Sequence, residues 1–421
     1  MSTTTNQGRI DIHNIKGAHE AAIKYLKKAD ISDKNKKLIL DYDKVRMLEA
    51  RALHTRVGNI YKLINAARVL EQVFKDKETT KDCFSEADRE EIKEMVCRIG
   101  DNPRWGKWTT IKIQSNFKRF FKFVRYGDDY AQEDYPDEVK WIKTHLSKRD
   151  EPKVDENDVL SEDEFKKLIE AAWHPMIKAW IACHSETGAR ISEDGNMTVG
   201  DVLRDEYSFK LRFTTSKTKP RVCRVYYSQP YLAHWLNIHP QKDNLNAPLW
   251  IQLGIREVKP LMYDRFVDIM HELYKRAGIN KKPRTHLIRH SRITINSRKG
   301  WTWKRICDYF GLVPSSGMIE VYDHTSIDDA NMEVLRMYGV KVKQDNKKSP
   351  LKLIQCPTCS FDNPPTNKLC DHCGLPLRDD APHEIEHQKH KVSNFMDYCI
   401  QDPLFKEILK RKSEEYAKAQ D

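Results

Sequence analysis

The 421-residue chain has no apolar run approaching the roughly 20 residues that a bilayer-spanning helix requires. Its first residues, Met1 to Gly8, are polar and lack the apolar core of an export signal. These two absences lead to the expectation of a cytoplasmic, reducing location. Ten cysteines in such a place are not expected to form a disulfide framework, so clustered ones are better read as metal ligands. Internal repeats and low-complexity blocks are also missing, which excludes solenoids and fibrous arrays. No cluster of Asp and Glu is spaced to hold Mg²⁺, which argues against two-metal hydrolysis.

What is present is charge and helical periodicity. Lys and Arg number 73 against 62 Asp and Glu, a net charge of +11 that suits a polyanionic partner without proving one. The length predicts two main domains with appendages. Residues 1–16 read as a disordered tail. Residues 17–150 read as helical, with apolar side chains recurring at helical spacing from Ile31 to Phe74, then again over Asp88–Ile99 and Thr110–Tyr126. In the last of these, Phe117 to Arg125 interleaves rings with bases. That pattern fits a DNA-facing helix and fits an amphipathic core helix equally well.

A charged, Pro-containing linker over Lys148–Asp158 and a capping box at Ser161 and Glu164 mark a domain boundary. Beyond it, helices surround one clear strand pair, Tyr207–Thr215 and Arg221–Tyr227, joined by the polar turn Ser216–Pro220. The fold class expected is mainly α with a small antiparallel β-sheet (α+β). A Lys-rich connector, Lys341–Lys348, leads to a cysteine cluster at 350–380, and a charged tail at 381–421 ends in a helix.

Four short segments carry the chemistry: Thr187-Gly-Ala-Arg-Ile-Ser-Glu193, Ser216-Lys-Thr-Lys219, Thr285-His-Leu-Ile-Arg-His-Ser291 and Tyr322-Asp-His324. Each alone is common. In this order and spacing, over about Leu160 to Val340, they resemble the tyrosine recombinase (phage integrase) family. The resemblance implies a core-binding domain at 17–150, a catalytic domain at 159–347, and site-specific cleavage and rejoining of DNA through a 3′-phosphotyrosine. It maps the catalytic arginines to Arg190 and Arg289, the turn lysine to Lys217, the histidine to His286 and the nucleophile to Tyr322. It also implies a homo-tetramer acting on paired double-stranded DNA sites. The Pro-Ser-Ser-x-Met stretch before Tyr322, with a cysteine cluster following, is most similar to archaeal integrases.

The chemistry is consistent with those residue types. A phenol attacks phosphorus and conserves the bond energy, two guanidinia bind the nonbridging oxygens, and a lysine protonates the leaving oxygen. His286 lies one helical turn before Arg289 and can reach the same phosphate. Alternatives stay open: Lys219 for Lys217, Tyr309 for Tyr322, and supporting roles for Glu193, His290 and His324. Where the family carries a hydrogen-bonding His or Trp, this chain has Leu312, which implies a site short of one donor. A type IB topoisomerase activity and an integrase-derived DNA-binding protein with a weakened site are the alternatives to recombination.

Cys356 and Cys359, then Cys370 and Cys373, form two Cys-x-x-Cys pairs ten residues apart. Four thiolates so spaced predict a closed structural Zn²⁺ ribbon, with no open position for catalysis at the metal. His372 is expected to be exposed, and the other cysteines to be buried thiols.

Overall fold

The computed structural model describes residues 10–145, 156–216, 220–314 and 349–377, together with Phe405, Glu407, Ile408 and Lys412. The chain forms two compact units, Met1–Asp155 and Glu156–Asp421.

The first unit is helical throughout its described part. Helices α1 (Ile15–Lys28), α2 (Asp33–Leu48), α3 (Leu53–Asp76), α4 (Arg89–Gly100), α5 (Lys107–Tyr126) and the short α6 (Asp137–Lys140) follow in order. The periodic run from Ile31 to Phe74 is broken after Leu48, where Ala50 takes a left-handed φ of 54°. Ser32 and Asp88 cap α2 and α4, and Asp88 closes a capping box with Glu91. α3 is the central element, packing against α1, α2, α4 and α5. The Asp43 carboxylate binds the Arg56 guanidinium through two bonds of 2.6 and 2.9 Å at this core.

The ring-and-base helix resolves in favour of packing. Phe117, Phe120, Phe121 and Phe123 are all buried, and Phe120 packs on Tyr42 and Phe84. The interleaved bases are largely consumed within the unit. Lys118 donates to the carbonyls of Lys140 and Ile142, Arg125 to those of Ser85 and Ala87, and Lys122 is buried beside Tyr135. Arg119 does point outward.

The second unit opens with α7 (Glu162–Ala171), whose Ser161–Glu164 capping box is present as the sequence predicts. α8 (Pro175–Thr187) and the short α9 (Ile191–Gly195) follow, then an antiparallel sheet of β1 (Val202–Arg204), β2 (Phe209–Phe213) and β3 (Arg221–Arg224) in that order. The first of these strands was not legible in the sequence. It has three residues, two half-buried and one exposed, too few for a period to register. Helices α10 (Gln229–Ile238), α11 (Tyr263–Arg276), α12 (Thr285–Arg298) and α13 (Trp303–Phe310) follow the sheet. α8 is the hub, packed against α7, α10 and α12, and Trp180 and Phe266 pack ring to ring beside it.

The cysteine segment folds as two hairpin-like knuckles with a strand pair, β4 (Ile354–Gln355) and β5 (Asp362–Asn363). It seats on the rest of the unit. Tyr231 of α10 and Thr366 share a 2.7 Å hydrogen bond, and Trp173, Lys178, His234, Pro364, Asn367 and Asp371 line a cavity of about 540 Å³ between them. Among the described residues no helix is long and apolar enough to cross a membrane.

Candidate active site

α8 ends at Gly188, whose φ of 55° is left-handed and favours glycine. A Cβ there would also lie 2.8 Å from the Phe310 ring. Two residues on, Arg190 is the N-cap of α9, and its backbone N–H donates to Glu193 Oε2 at 3.0 Å. Its guanidinium donates to Glu193 Oε1 at 2.8 Å and reaches the Gly311 carbonyl at 3.4 Å. On α12, Arg289 is 1% exposed and donates to the carbonyls of Gly188 at 2.9 Å and Phe310 at 2.5 Å. The two guanidinia thus grip adjacent carbonyls, Phe310 and Gly311, at the end of α13. Helices distant in sequence are brought together around one short segment.

His286 sits one turn before Arg289, with its ring 4.8 Å edge-on to that of His290. Its side chain is crowded yet keeps access to solvent. Burial, followed by the positive charges of Arg289 and Arg190 and by His184, lowers its pKa to about 4. The imidazole is therefore neutral near pH 7 in a site rich in cations.

Glu193 is fully buried and accepts from Arg190, from Ser216 Oγ at 2.9 Å and from Arg221 Nη2 at 2.7 Å. Burial would raise its pKa, but the Arg221 hydrogen bond and charge, with Arg190, hold it at about 2. Behind the site, His184 bonds Asp194 at 3.0 Å and the Thr285 carbonyl at 3.3 Å, joining α8, α9 and the first turn of α12. Trp250 Nε1 donates to the Asp194 carbonyl.

Of the residues singled out from sequence, the structure assembles Arg190, Glu193, His286, Arg289 and His290. Lys217, Lys219, Tyr322 and His324 lie outside the described residues. Leu312 is buried against Ile293, Ile306, Cys307 and Phe310, so its apolar side chain belongs to the core. Tyr309 is poorly suited as a nucleophile, because its hydroxyl donates to the Arg224 carbonyl and burial pushes its pKa far up. Arg221 and the His184–Asp194 pair went unrecognised in the sequence. The signal for Arg221 was its parity: it shares the inward face of β3 with Cys223, where an arginine needs a partner.

In the cysteine segment the four sulfurs lie within 4.8 Å of one another, with Cys356 to Cys373 at 3.5 Å and Cys359 to Cys370 at 3.6 Å. Both knuckles repeat the same backbone bonds. Ser360 N–H and Gly374 N–H return to the carbonyls of Cys356 and Cys370, and both residues take left-handed φ, 58° and 74°. His372 is exposed and stacks on Phe361. Among the remaining cysteines Cys97 is exposed rather than buried, and Cys399 lies outside the described residues.

Residues 158–327 match the phage integrase family. Among solved structures, the fold is similar to a lambda integrase dimer bound to a COC′ core site, at 15% identity and a TM-score of 0.50, over 68% of this chain and 76% of that one. It is likewise similar to the Tn1549 transposon integrase in complex with a circular intermediate DNA, at 16% identity and a TM-score of 0.50, over 71% of this chain and 99% of that one. XerA recombinase aligns at 20% identity over 72% of this chain and 98% of its own, with a TM-score of 0.37. No curated protein matches the chain. Residues 158–327 thus match a phage integrase domain, in a chain whose described residues are mainly helical with two small antiparallel sheets. The enzyme class this domain defines is the site-specific tyrosine recombinase.

Proposed function

We propose that the site of Arg190, Arg289 and His286 binds a scissile DNA phosphate, and that Tyr322 attacks it to form a 3′-phosphotyrosine. Arg190 and Arg289 bind the nonbridging oxygens and stabilise the charge that develops at phosphorus. His286, neutral in the empty site, shares a proton with the nucleophile or the phosphate. Lys217 protonates the departing 5′ oxygen. Rejoining reverses these steps on a second duplex, in a homo-tetramer assembled on paired sites in the cytoplasm. The observation that carries this reading is the meeting of two guanidinia at the adjacent Phe310 and Gly311 carbonyls, with His286 one helical turn before Arg289 and within the field of both.

The four cysteines fit a tetrahedral Zn²⁺ ion. Metal–sulfur bonds of about 2.3 Å place sulfurs about 3.8 Å apart, and the two close pairs are within a few tenths of that. Cys356, Cys359, Cys370 and Cys373 would hold the ion, which supplies folding energy to the ribbon and takes no part in catalysis. The proline- and serine-containing stretch before Tyr322 supports an archaeal-type integrase.

The test is a nicked suicide DNA that traps the covalent complex. Unaltered protein should accumulate adduct, and Tyr322→Phe should bind the same DNA with similar affinity and form none. Adduct in the Tyr322→Phe protein would place the nucleophile elsewhere.

A further inference from the structure

Arg221 opens β3 directly after the turn that carries Lys217 and Lys219. Its side chain is 4% exposed and its guanidinium lies 4.7 Å over the Phe213 ring, the residue it faces across the strand pair. Burying a guanidinium is costly unless it is paired. Here Nη2 bonds Glu193 and the guanidinium also interacts with the Cys223 thiol on the same strand face, while Nε and Nη1 are buried without a close hydrogen-bond acceptor among the described residues. So costly a residue at an inward strand position calls for a purpose beyond filling space.

The Glu193 carboxylate indicates that purpose. Oε1 accepts from the Arg190 guanidinium and from Ser216 Oγ, and Oε2 accepts from the Arg190 backbone and from Arg221. Each oxygen thus takes one bond from the phosphate-binding arginine and one from a flank of the turn. Ser216 is the residue before Lys217, and Arg221 follows Pro220 at the other end.

We infer that Arg221 is a positioning residue, fixing the closing end of the Ser216–Pro220 turn to the carboxylate that holds Arg190. Ser216 and Arg221 thereby share one carboxylate with Arg190, and the proposed acid, Lys217, lies between these two tethers in sequence. This rests on the proposed function, in which Lys217 protonates the leaving oxygen. Placement errors of about 1 Å cost on the order of 10²-fold in rate for a group that acts by position. Arginine suits the post because its plane stacks on Phe213 while one edge bonds the carboxylate, which a lysine cannot do together.

The experiment compares single-turnover cleavage of two DNAs by the full chain. One has the ordinary scissile phosphate, and the other has sulfur in place of the bridging 5′ oxygen. In the first, the tyrosine oxygen bonds to phosphorus, the P–O5′ bond breaks and the leaving oxygen takes a proton. In the second, the P–S bond breaks and a thiolate leaves without needing one. Arg221→Met should cut the rate on ordinary DNA about 100-fold and return to within a few fold of the unaltered protein on sulfur DNA. Arg221→Lys should fall between. If Arg221→Met does not fold, Ser216→Ala removes the opposite flank's bond without stranding a charge and should show the same rescue, smaller in size. Equal losses on both DNAs, or no loss on ordinary DNA, would overturn the inference. Lys217→Ala separates the two claims. Its rescue on sulfur DNA upholds the role proposed for the turn, and its failure there refutes that role independently of Arg221.

Discussion

At the scale of single residues, Leu312 shows how position along a motif and position in space can part. Its place just after Gly311 led to the expectation of a missing phosphate donor, yet the side chain fills an apolar cluster under Phe310. Leu312→Ala should therefore cost about 2–4 kcal/mol of unfolding free energy. Leu312→Trp should also destabilise, by about 1–3 kcal/mol through overpacking, and should not speed cleavage. Urea denaturation and single-turnover rates on the same samples would check both, and a faster Trp variant would put the side chain back at the phosphate. His286 offers a second measurement. With its pKa lowered to about 4, the folded protein declines a proton that the unfolded chain takes at about 6.5. Its contribution to stability is complete above pH 6.5 and is lost as pH falls toward 4. The ring's NMR titration midpoint should lie near 4 in the free protein and rise when DNA brings a phosphate beside it. A midpoint near 6.5 without DNA would mean that neither burial nor the neighbouring arginines act on the ring as described.

At the scale of elements, the caps and the periodic helices were legible because their signals are local. Ser161 with Glu164 and Asp88 with Glu91 each announce a helix start within four residues. The meeting of Arg190 with Arg289 was legible only through family resemblance, since it depends on α8, α12 and α13 packing together. Arg221 stayed hidden because a basic residue in a strand is ordinarily on the wet face, and only the neighbours' parity reverses that. The break between α2 and α3 was missed for a similar reason. Ala50 holds a left-handed φ that no glycine advertised. The cysteine ribbon sits on α10 through Tyr231 and Thr366, so its loss should be felt locally. A strong chelator should unfold residues 350–377 and lower the melting temperature of the second unit, leaving the cleavage chemistry intact in a chain shortened to Lys347. Cleavage by that shortened chain that depended on added divalent metal would contradict the assignment.

At the scale of the whole molecule, a net charge of +11 on 421 residues supplies a sequence-independent attraction for DNA. Affinity for a duplex should drop at least roughly tenfold between 50 and 200 mM salt, with a linear log–log slope that counts displaced counterions. Fluorescence anisotropy across that range would measure it, and a flat profile would mean that phosphate contacts are few. Cleavage alone does not fix the outcome of the reaction. Two-site recombination and supercoil relaxation, run in parallel on one plasmid, separate exchange between duplexes from swivelling within one.

The paired knuckles of the ribbon have a chemical consequence. Each contributes one cysteine from its sheltered side and one nearer the solvent: Cys356 and Cys370 are buried, Cys359 is half-buried and Cys373 is exposed. Attack by an oxidant or alkylating agent is therefore vectorial. It should begin at Cys373, and loss of that thiolate would leave a Zn²⁺ ion bound there with three of its four proposed ligands. Mass spectrometry of partly alkylated protein should find Cys373 modified first and Cys356 and Cys370 last. The ribbon would then fail in a fixed sequence, like a seam unpicked from one end.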